Sequence, residues 1–439
     1  MTQLSALPPV VFLQILKHLE LGDKVRLSAT CKGYRSLLSP DIFTTIHFTN
    51  NEASAKSALA AVEAHGEYTT RIKFTCHAAS DAELTAPALP LAASKVLDGH
   101  YTPNLHTVQL KFDFDFDDGE DWDDNSDALM GSSIYVFEAV ESEAYVRTKE
   151  KEFKWRALMN ETWQALTTNK YVRDLLLDEF IPKWTSTFRT DDFRQFLSQL
   201  ESAAFTMFGM DNGAGWKTNT VWGYVEFLAG LDNVFFQHMH RLKHLHILAS
   251  VCGPIGLEGF RHIPLALQPG NLPVLESLKL ENCFVGPELV SFVQGHASSL
   301  ASLDVKDCVS GGDGYGMAEN SLYWAQFFDE IYDAKPSLIE LIAEGGRVPL
   351  TSDEQYSRDY IAVNEPEEVQ DIRMKLKANP KLRLFGYAYL DDKYGMFFMD
   401  EEANVEEFHN GDDQRAYDRL MGFVKANAAR GANAPETSS

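Results

Sequence analysis

From residue 105 to residue 343 one short phrase of apolar and variable positions recurs along the chain: apolar, two variable, apolar, one variable, apolar. It reads Leu105-Val108-Leu110, Val172-Leu175-Leu177, Leu242-Leu245-Ile247, Leu275-Leu278-Leu280, Leu300-Leu303-Val305 and Leu338-Leu341-Ala343. Weaker copies sit at Ile72-Phe74 and at Leu200-Phe205, and three copies continue to a further buried-type residue at Phe180, Cys283 and Cys308. Alternating apolar residues predict a short strand with one buried side. Stretches with helical spacing fall between the phrases, at 155–168, 191–200, 221–240, 286–296 and 322–332. Parallel strands stacked in succession, with helical returns outside them, bury a continuous core. The pattern therefore predicts an α/β body with a curved, mostly parallel sheet; an α/β domain without repeats is the competing arrangement.

The C-terminal part changes character. Residues 366–377 predict a helix that starts at Pro366 and stops at Asn379-Pro380. The apolar runs 382–390 and 394–399 flank Asp391-Asp392-Lys393 and predict a hairpin. Residues 412–429 form an amphipathic helix with Tyr417, Leu420, Met421 and Val424 on one side. This hairpin and helix are expected to cap the open end of the stack, with 430–439 a disordered tail.

At the other end, 7–43 crowds Val11, Leu13, Ile15, Leu16 and Leu19 onto one short helix, more apolar surface than a single face can hide. Pro8 and Pro9 suit its start. Gly22-Asp23 marks a break, with Asp23 the expected N-cap of a second helix carrying Val25 and Leu27. A third segment runs from Cys31 to Leu38, with Lys32 and Arg35 outside and Pro40 beyond. A three-helix unit this small buries too little surface to be stable alone. Its spare apolar faces must meet either a partner or the rest of the chain.

These residues closely resemble the F-box, a helical module that docks onto a Skp-type adaptor of cullin–RING ubiquitin ligases. The resemblance rests on Leu7-Pro8, Ile15, Leu16 and Leu19, on Asp23, Val25 and Leu27, and on Cys31-Lys32, Tyr34, Arg35, Leu37-Leu38 and Pro40. Val10, Lys24 and Thr30 stand where Glu, Leu and Val are common. It implies an F-box over 1–48 in which Leu7, Pro8, Ile15, Leu16, Leu19, Val25, Leu27, Cys31, Tyr34 and Leu37 contact the adaptor. The body phrase is similar to the strand of leucine-rich repeats. Its starts at 105, 172, 242, 275, 300 and 338 are spaced unevenly, whereas ordinary repeats run about 20–29 residues. The expected organisation is an F-box, an irregular leucine-rich-repeat-like solenoid over 49–365, a C-terminal cap over 366–429 and the tail, an arrangement that resembles a fungal type of F-box protein.

Charge narrows the partners. The chain carries a formal net charge of −25, which disfavours nucleic acid and anionic membranes. The N-terminal segment is mildly basic, with Lys17, Lys24, Arg26, Lys32 and Arg35 against Glu20, Asp23 and Asp41, a polarity suited to an acidic docking partner. Cys31, Cys76, Cys252, Cys283 and Cys308 form no CxxC pair and are expected as buried free thiols of a reducing compartment. No apolar run approaches the roughly 20 residues of a membrane span. With no secretion signal at the N-terminus, cytosol or nucleus is expected.

No active site is legible. GGDGYG at 311–316 fails both GxGxxG and the GK[ST] ending of a phosphate loop. The acidic insertion 113–127 is expected to be a mobile, solvated loop; counted as a calcium loop from Asp113, it places Gly119 at position seven instead of six. His238, His240, His244 and His246 lack the fixed additional ligands that a metal needs. No cofactor and no metal are expected. The outward positions of the strands are instead the expected target-binding surface: Thr107, Gln109, Lys111, Asp174, Asp178, His244, His246, Ser277, Lys279, Glu281, Ser302, Asp304, Lys306, Glu340 and Glu344. Their mixed charge fits a protein ligand. The function expected is that of a non-catalytic substrate receptor of a cullin–RING ligase. The alternative is a scaffold protein whose F-box binds the adaptor outside a ligase or packs internally.

Overall fold

The computed structural model describes residues 9–78, 84–114, 116, 133–312, 318–319, 321–343 and 366–432. It opens with three helices, α1 (Pro9–His18), α2 (Leu21–Ser28) and α3 (Lys32–Phe43). The body continues with β1 (Thr45–Thr49), α4 (Glu52–His65), β2 (Arg71–Ala78), α5 (Leu91–Leu97), β3 (Thr107–Phe114), α6 (Glu143–Glu152), α7 (Lys154–Thr167), β4 (Asp174–Phe180), α8 (Asp191–Ser198) and β5 (Ser202–Met207). Then come α9 (Trp222–Ala229), α10 (Leu231–Val234), β6 (His244–Leu248), β7 (Glu258–Gly259), β8 (Ser277–Val285), α11 (Pro287–Gly295), β9 (Ser302–Ser310), β10 (Ala318–Glu319), α12 (Trp324–Asp333) and β11 (Glu340–Ile342). The described chain ends with α13 (Glu367–Ala378), β12 (Gly386–Leu390), β13 (Phe397–Met399), α14 (Glu401–Asn410) and α15 (Asp412–Ala432).

Eleven strands form one sheet in the order β1-β2-β3-β4-β5-β6-β8-β9-β12-β13, with β11 also on β9. Every pairing is parallel except β12 with β13. The two-residue strands β7 and β10 form a separate antiparallel ladder. From β1 to β9 the spatial order follows the chain, so each parallel strand is laid beside its predecessor. The far edge of β9 is shared: its first half pairs with β11, and Val309-Ser310 near its end pairs with Gly386-Tyr387 of β12.

The apolar phrase explains this register. Its second positions align across the sheet, from Ile72 through Val108, Leu175, Ala203, Leu245, Leu278 and Leu303 to Leu341, and all are buried. These residues and the inner faces of α4, α5, α7, α8 and α11 share one apolar core. In β4 and in β8 the residue before Phe180 or Cys283 is left-handed (Glu179 φ 51°, Asn282 φ 54°), and the ladder shifts register there. The same device thus recurs at equivalent points of two phrases.

Several expectations are corrected. Glu20, not Asp23, is the N-cap residue of α2. Helix α3 runs past Pro40 to Phe43, and the body sheet begins at Thr45, inside the 1–48 segment. Helices α4, α5, α6 and α14 were not foreseen. Helix α4 is alanine-rich and buries only the narrow stripe Ala55, Ala58 and Val62, after Asn51 caps its first turn. Cys31 is exposed and Cys252 is half-buried, unlike the other three thiols. The acidic insertion does not start as a loop. Asp113 and Phe114 belong to β3, and Phe116 lies buried against Phe114, Phe137, Trp155 and Phe208. The alternation of Phe112, Phe114 and Phe116 extends the strand pattern inward despite the aspartates; residues 117–127 and Glu344 lie outside the described residues. Helix α15 continues through Ala432, where Arg430 donates to Ala426 O at 3.3 Å and Asn427 Oδ1 at 2.6 Å, so the first residues of the expected tail are helical.

Candidate functional site

Two surfaces stand out. The first belongs to α1–α3, whose core is small: Leu16 and Leu38 are buried, with Leu19, Leu27, Tyr34 and Ile42 packed around them. Around that core Val10 (71% exposed), Leu21 (56%), Leu13 (48%), Val11, Val25 and Leu37 (46% each) face solvent. Val10 and Leu13 are helical neighbours on α1, as are Leu21 and Val25 on α2. So dense an apolar surface on so small a unit marks a docking face. Among the described residues, the attachment to the body is made at the end of α3. There the Phe43 ring stacks on His65 at 4.1 Å, Phe43 O accepts from Thr69 Oγ1 at 2.9 Å, and Thr44 O accepts from the Thr70 and Arg71 amides. Among the described residues, the exposed apolar side chains of α1 and α2 are therefore not sealed against the body.

The expected adaptor contacts divide accordingly. Val25, Leu37 and Cys31 are exposed, and Ile15, Leu19, Leu27 and Tyr34 are half-buried. Leu7 and Pro8 lie outside the described residues. Leu16, at 5% exposure, is a core residue of the three-helix unit instead of a contact, because a helix needs an inward anchor before it can offer an outward face. Val10, Leu13 and Leu21 were missed as contacts; their crowding on α1 and α2 was the available signal.

The second surface is the sheet face that carries the outward positions. Register brings these residues into rows. One row runs Arg71, Thr107, Asp174, Ser202, His244, Ser277, Ser302, Glu340, and the next runs Lys73, Gln109, Leu176, Ala204, His246, Lys279, Asp304, Ile342. Side-chain pairs knit the rows. Thr107 Oγ1 donates to Asp174 at 2.9 Å, which covers Thr107, and Gln109 donates to Asp178. Lys111 pairs with Glu179 at 2.8 Å, and this hydrogen bond raises the lysine pKa against the lowering effect of burial. Glu281 accepts from His246 at 2.8 Å and Lys279 at 2.7 Å. Burial alone would raise the Glu281 pKa, but these two partners outweigh it and hold it below the usual carboxylate value. Ser302 donates to Glu340 at 2.8 Å, Asp304 accepts from the Lys306 amide at 3.0 Å, and Lys306 and His244 are exposed. Between the polar ends lie half-buried Leu176, Ala204 and Leu248, an apolar floor of which the outward Leu176 was already visible in the sequence. The face can hold a ligand by apolar contact flanked by charge, and among the described residues no group of His, Cys, Asp and Glu could hold a metal ion.

Apart from these surfaces, the segment before α6, helix α7 and the loop after β4 hold a buried charge cluster that the sequence did not announce. Glu141 accepts from Arg156 at 2.9 Å, Lys183 at 3.0 Å and the Trp184 amide at 3.2 Å. Burial would raise the Glu141 pKa; the two cations overcome that and lower it.

The helical unit thus defines a protein-docking module. The F-box domain family matches residues 4–45, so the chain carries an F-box at its N-terminal end. No curated protein matches the chain. F-box domains generally bind Skp-type adaptors of cullin–RING ligases.

Proposed function

We propose that this protein is a substrate-recognition subunit of a cullin–RING ubiquitin ligase, acting in the cytosol or nucleus. The F-box docks the adaptor, and the body holds a target protein on the sheet face that carries the outward polar rows. The observation that carries this reading is the exposed apolar set Val10, Leu13, Leu21, Val25 and Leu37 on a domain of the adaptor-binding family. The body is an irregular leucine-rich-repeat-like stack; the in-register phrases and the recurring left-handed kink support that reading. The C-terminal elements close its far edge. The protein performs no bond chemistry. It supplies proximity and orientation, which are worth many kcal/mol to a bimolecular step.

The test uses exposed residues, since Leu16→Asp would unfold the module. Val25→Asp combined with Leu37→Asp is expected to weaken adaptor binding by at least about 100-fold while the thermal unfolding of the body is unchanged. Retained co-purification with the adaptor would refute the docking face. A reconstituted ligase assay then separates a receptor from a scaffold that binds the adaptor outside a ligase.

A further inference from the structure

The loops at the C-terminal ends of the middle strands gather an apolar patch. Trp222, the first residue of α9, is 67% exposed, and Val251, Val140 and Phe260 are 60%, 49% and 47% exposed. Hydrogen bonds draw their segments together. Thr218 Oγ1 donates to Cys252 O at 3.0 Å, and Arg261 donates to Thr220 O at 3.0 Å. Asn219 Nδ2 donates to both Arg261 O and Gly395 O at 3.0 Å, and the Gly223 amide donates to Glu138 O at 3.1 Å. The loop after β6 is fixed from below as well: Gly256 sits at φ 136° where any Cβ would collide with the Phe284 carbonyl. The Arg261 guanidinium covers the Phe260 ring at 4.3 Å. An exposed Trp beside Phe and Arg on a preorganised scaffold is the composition of a binding hot spot.

The surroundings choose the occupant. Glu138, Glu226, Glu258 and Asp392 are exposed on the same segments and have no ion-pair partner among the described residues. Of the cations here, Lys217 is paired with Asp211 at 3.2 Å, and Arg261 and Lys393 lie over the Phe260 and Tyr394 rings, which leaves the four carboxylates in excess. A second copy of the chain, at −25, meets long-range repulsion, and the chain's own acidic stretch 117–127 has the wrong sign. The F-box joins the sheet at β1, at the opposite ends of the strands, and leaves the patch free.

We infer that this rim binds a basic segment of a partner protein, anchored by an aromatic or aliphatic side chain against Trp222 and Phe260 and flanked by Lys or Arg facing Glu138, Glu226, Glu258 and Asp392. The inference rests on the receptor reading only for calling that partner a ubiquitination target; the contact itself is tested without adaptor.

The probe is a short labelled peptide of lysines around a central Phe-Leu pair, with a control in which every Lys is Glu. Anisotropy titration of the full chain is expected to show binding of the lysine peptide only, weakening as salt rises. Trp222→Ala and, separately, Phe260→Ser are expected to lower affinity by at least about tenfold, Glu226→Lys by severalfold, and Glu63→Ala, exposed on α4 away from both surfaces, not at all. Four results would each overturn the assignment: no binding of the lysine peptide, equal binding of the glutamate peptide, unchanged affinity in both patch variants, or a concentration-dependent dimer that Trp222→Ala dissolves.

Discussion

Replacing Glu141 by Gln is expected to destabilise the fold by about 3–5 kcal/mol. The side chains of Glu141, Arg156 and Lys183 are 3%, 3% and 4% exposed, so water cannot take over for the lost carboxylate. Arg156 still reaches Trp184 O at 2.9 Å, a neutral acceptor that leaves the charge of the buried guanidinium uncompensated. The cluster also joins the segment before α6 to α7 and to the loop after β4, so its loss loosens several attachments together. Equilibrium denaturation should show the drop as a lower midpoint. Removing all three charges with Glu141→Leu, Arg156→Met and Lys183→Met is expected to cost much less than the single change, since an apolar cluster of similar volume leaves no charge stranded. Equal losses in the single and triple variants would show that packing, not charge pairing, sets the cost.

What the sequence disclosed follows from which residues announce their burial. The phrase around Leu175, Leu278 and Leu303 was legible because a strand covered on one face alternates, and even the weak copies Ile72-Phe74 and Leu200-Phe205 mark real strands. Helix α4 was silent because Ala55 and Ala58 satisfy a tight contact without a strong apolar signal. The F-box was visible as an excess of apolar residues, but a sequence ranks Leu16 and Leu13 alike; only the packing of α1 on α3 sends Leu16 inward and Leu13 out. The outward polar rows followed from the alternation. The Trp222 patch did not, since it depends on three loops brought together by hydrogen bonds to backbone carbonyls, which leave no periodic trace. The Glu141 cluster was hidden for a similar reason: a charged residue in an acidic chain reads as solvated until its partners are placed around it.

The far edge of the sheet is held by a group whose ionisation opposes folding, and this makes the stability of that end depend on pH. Asp413, on α15, is 5% exposed and accepts from the Ala325 amide in the first turn of α12 and from the Tyr387 hydroxyl of β12, both at 2.8 Å. Tyr387 Oη in turn accepts from the Trp324 amide at 3.2 Å, and the Trp324 indole donates to Gly386 O at 2.9 Å. Burial pushes the Asp413 pKa up to about 6, although both hydrogen bonds pull it down. The unfolded value is about 3.9. The folded state therefore holds a proton that the unfolded state has released, and stability falls as pH rises through the folded pKa; it is fully present only below the unfolded one. The whole swing is about 3 kcal/mol, and about 1.4 kcal/mol of it falls between about pH 5 and pH 7.5. Asp413→Asn keeps an acceptor for the Ala325 amide and cannot titrate. The difference in unfolding free energy between the native chain and this variant is expected to shift by that amount across the window, in the variant's favour at the higher pH, while contributions of the other carboxylates cancel. A difference that stays flat with pH would mean that Asp413 is ionised throughout, its negative charge held by the α12 N-terminus and the Tyr387 hydroxyl strongly enough to offset burial.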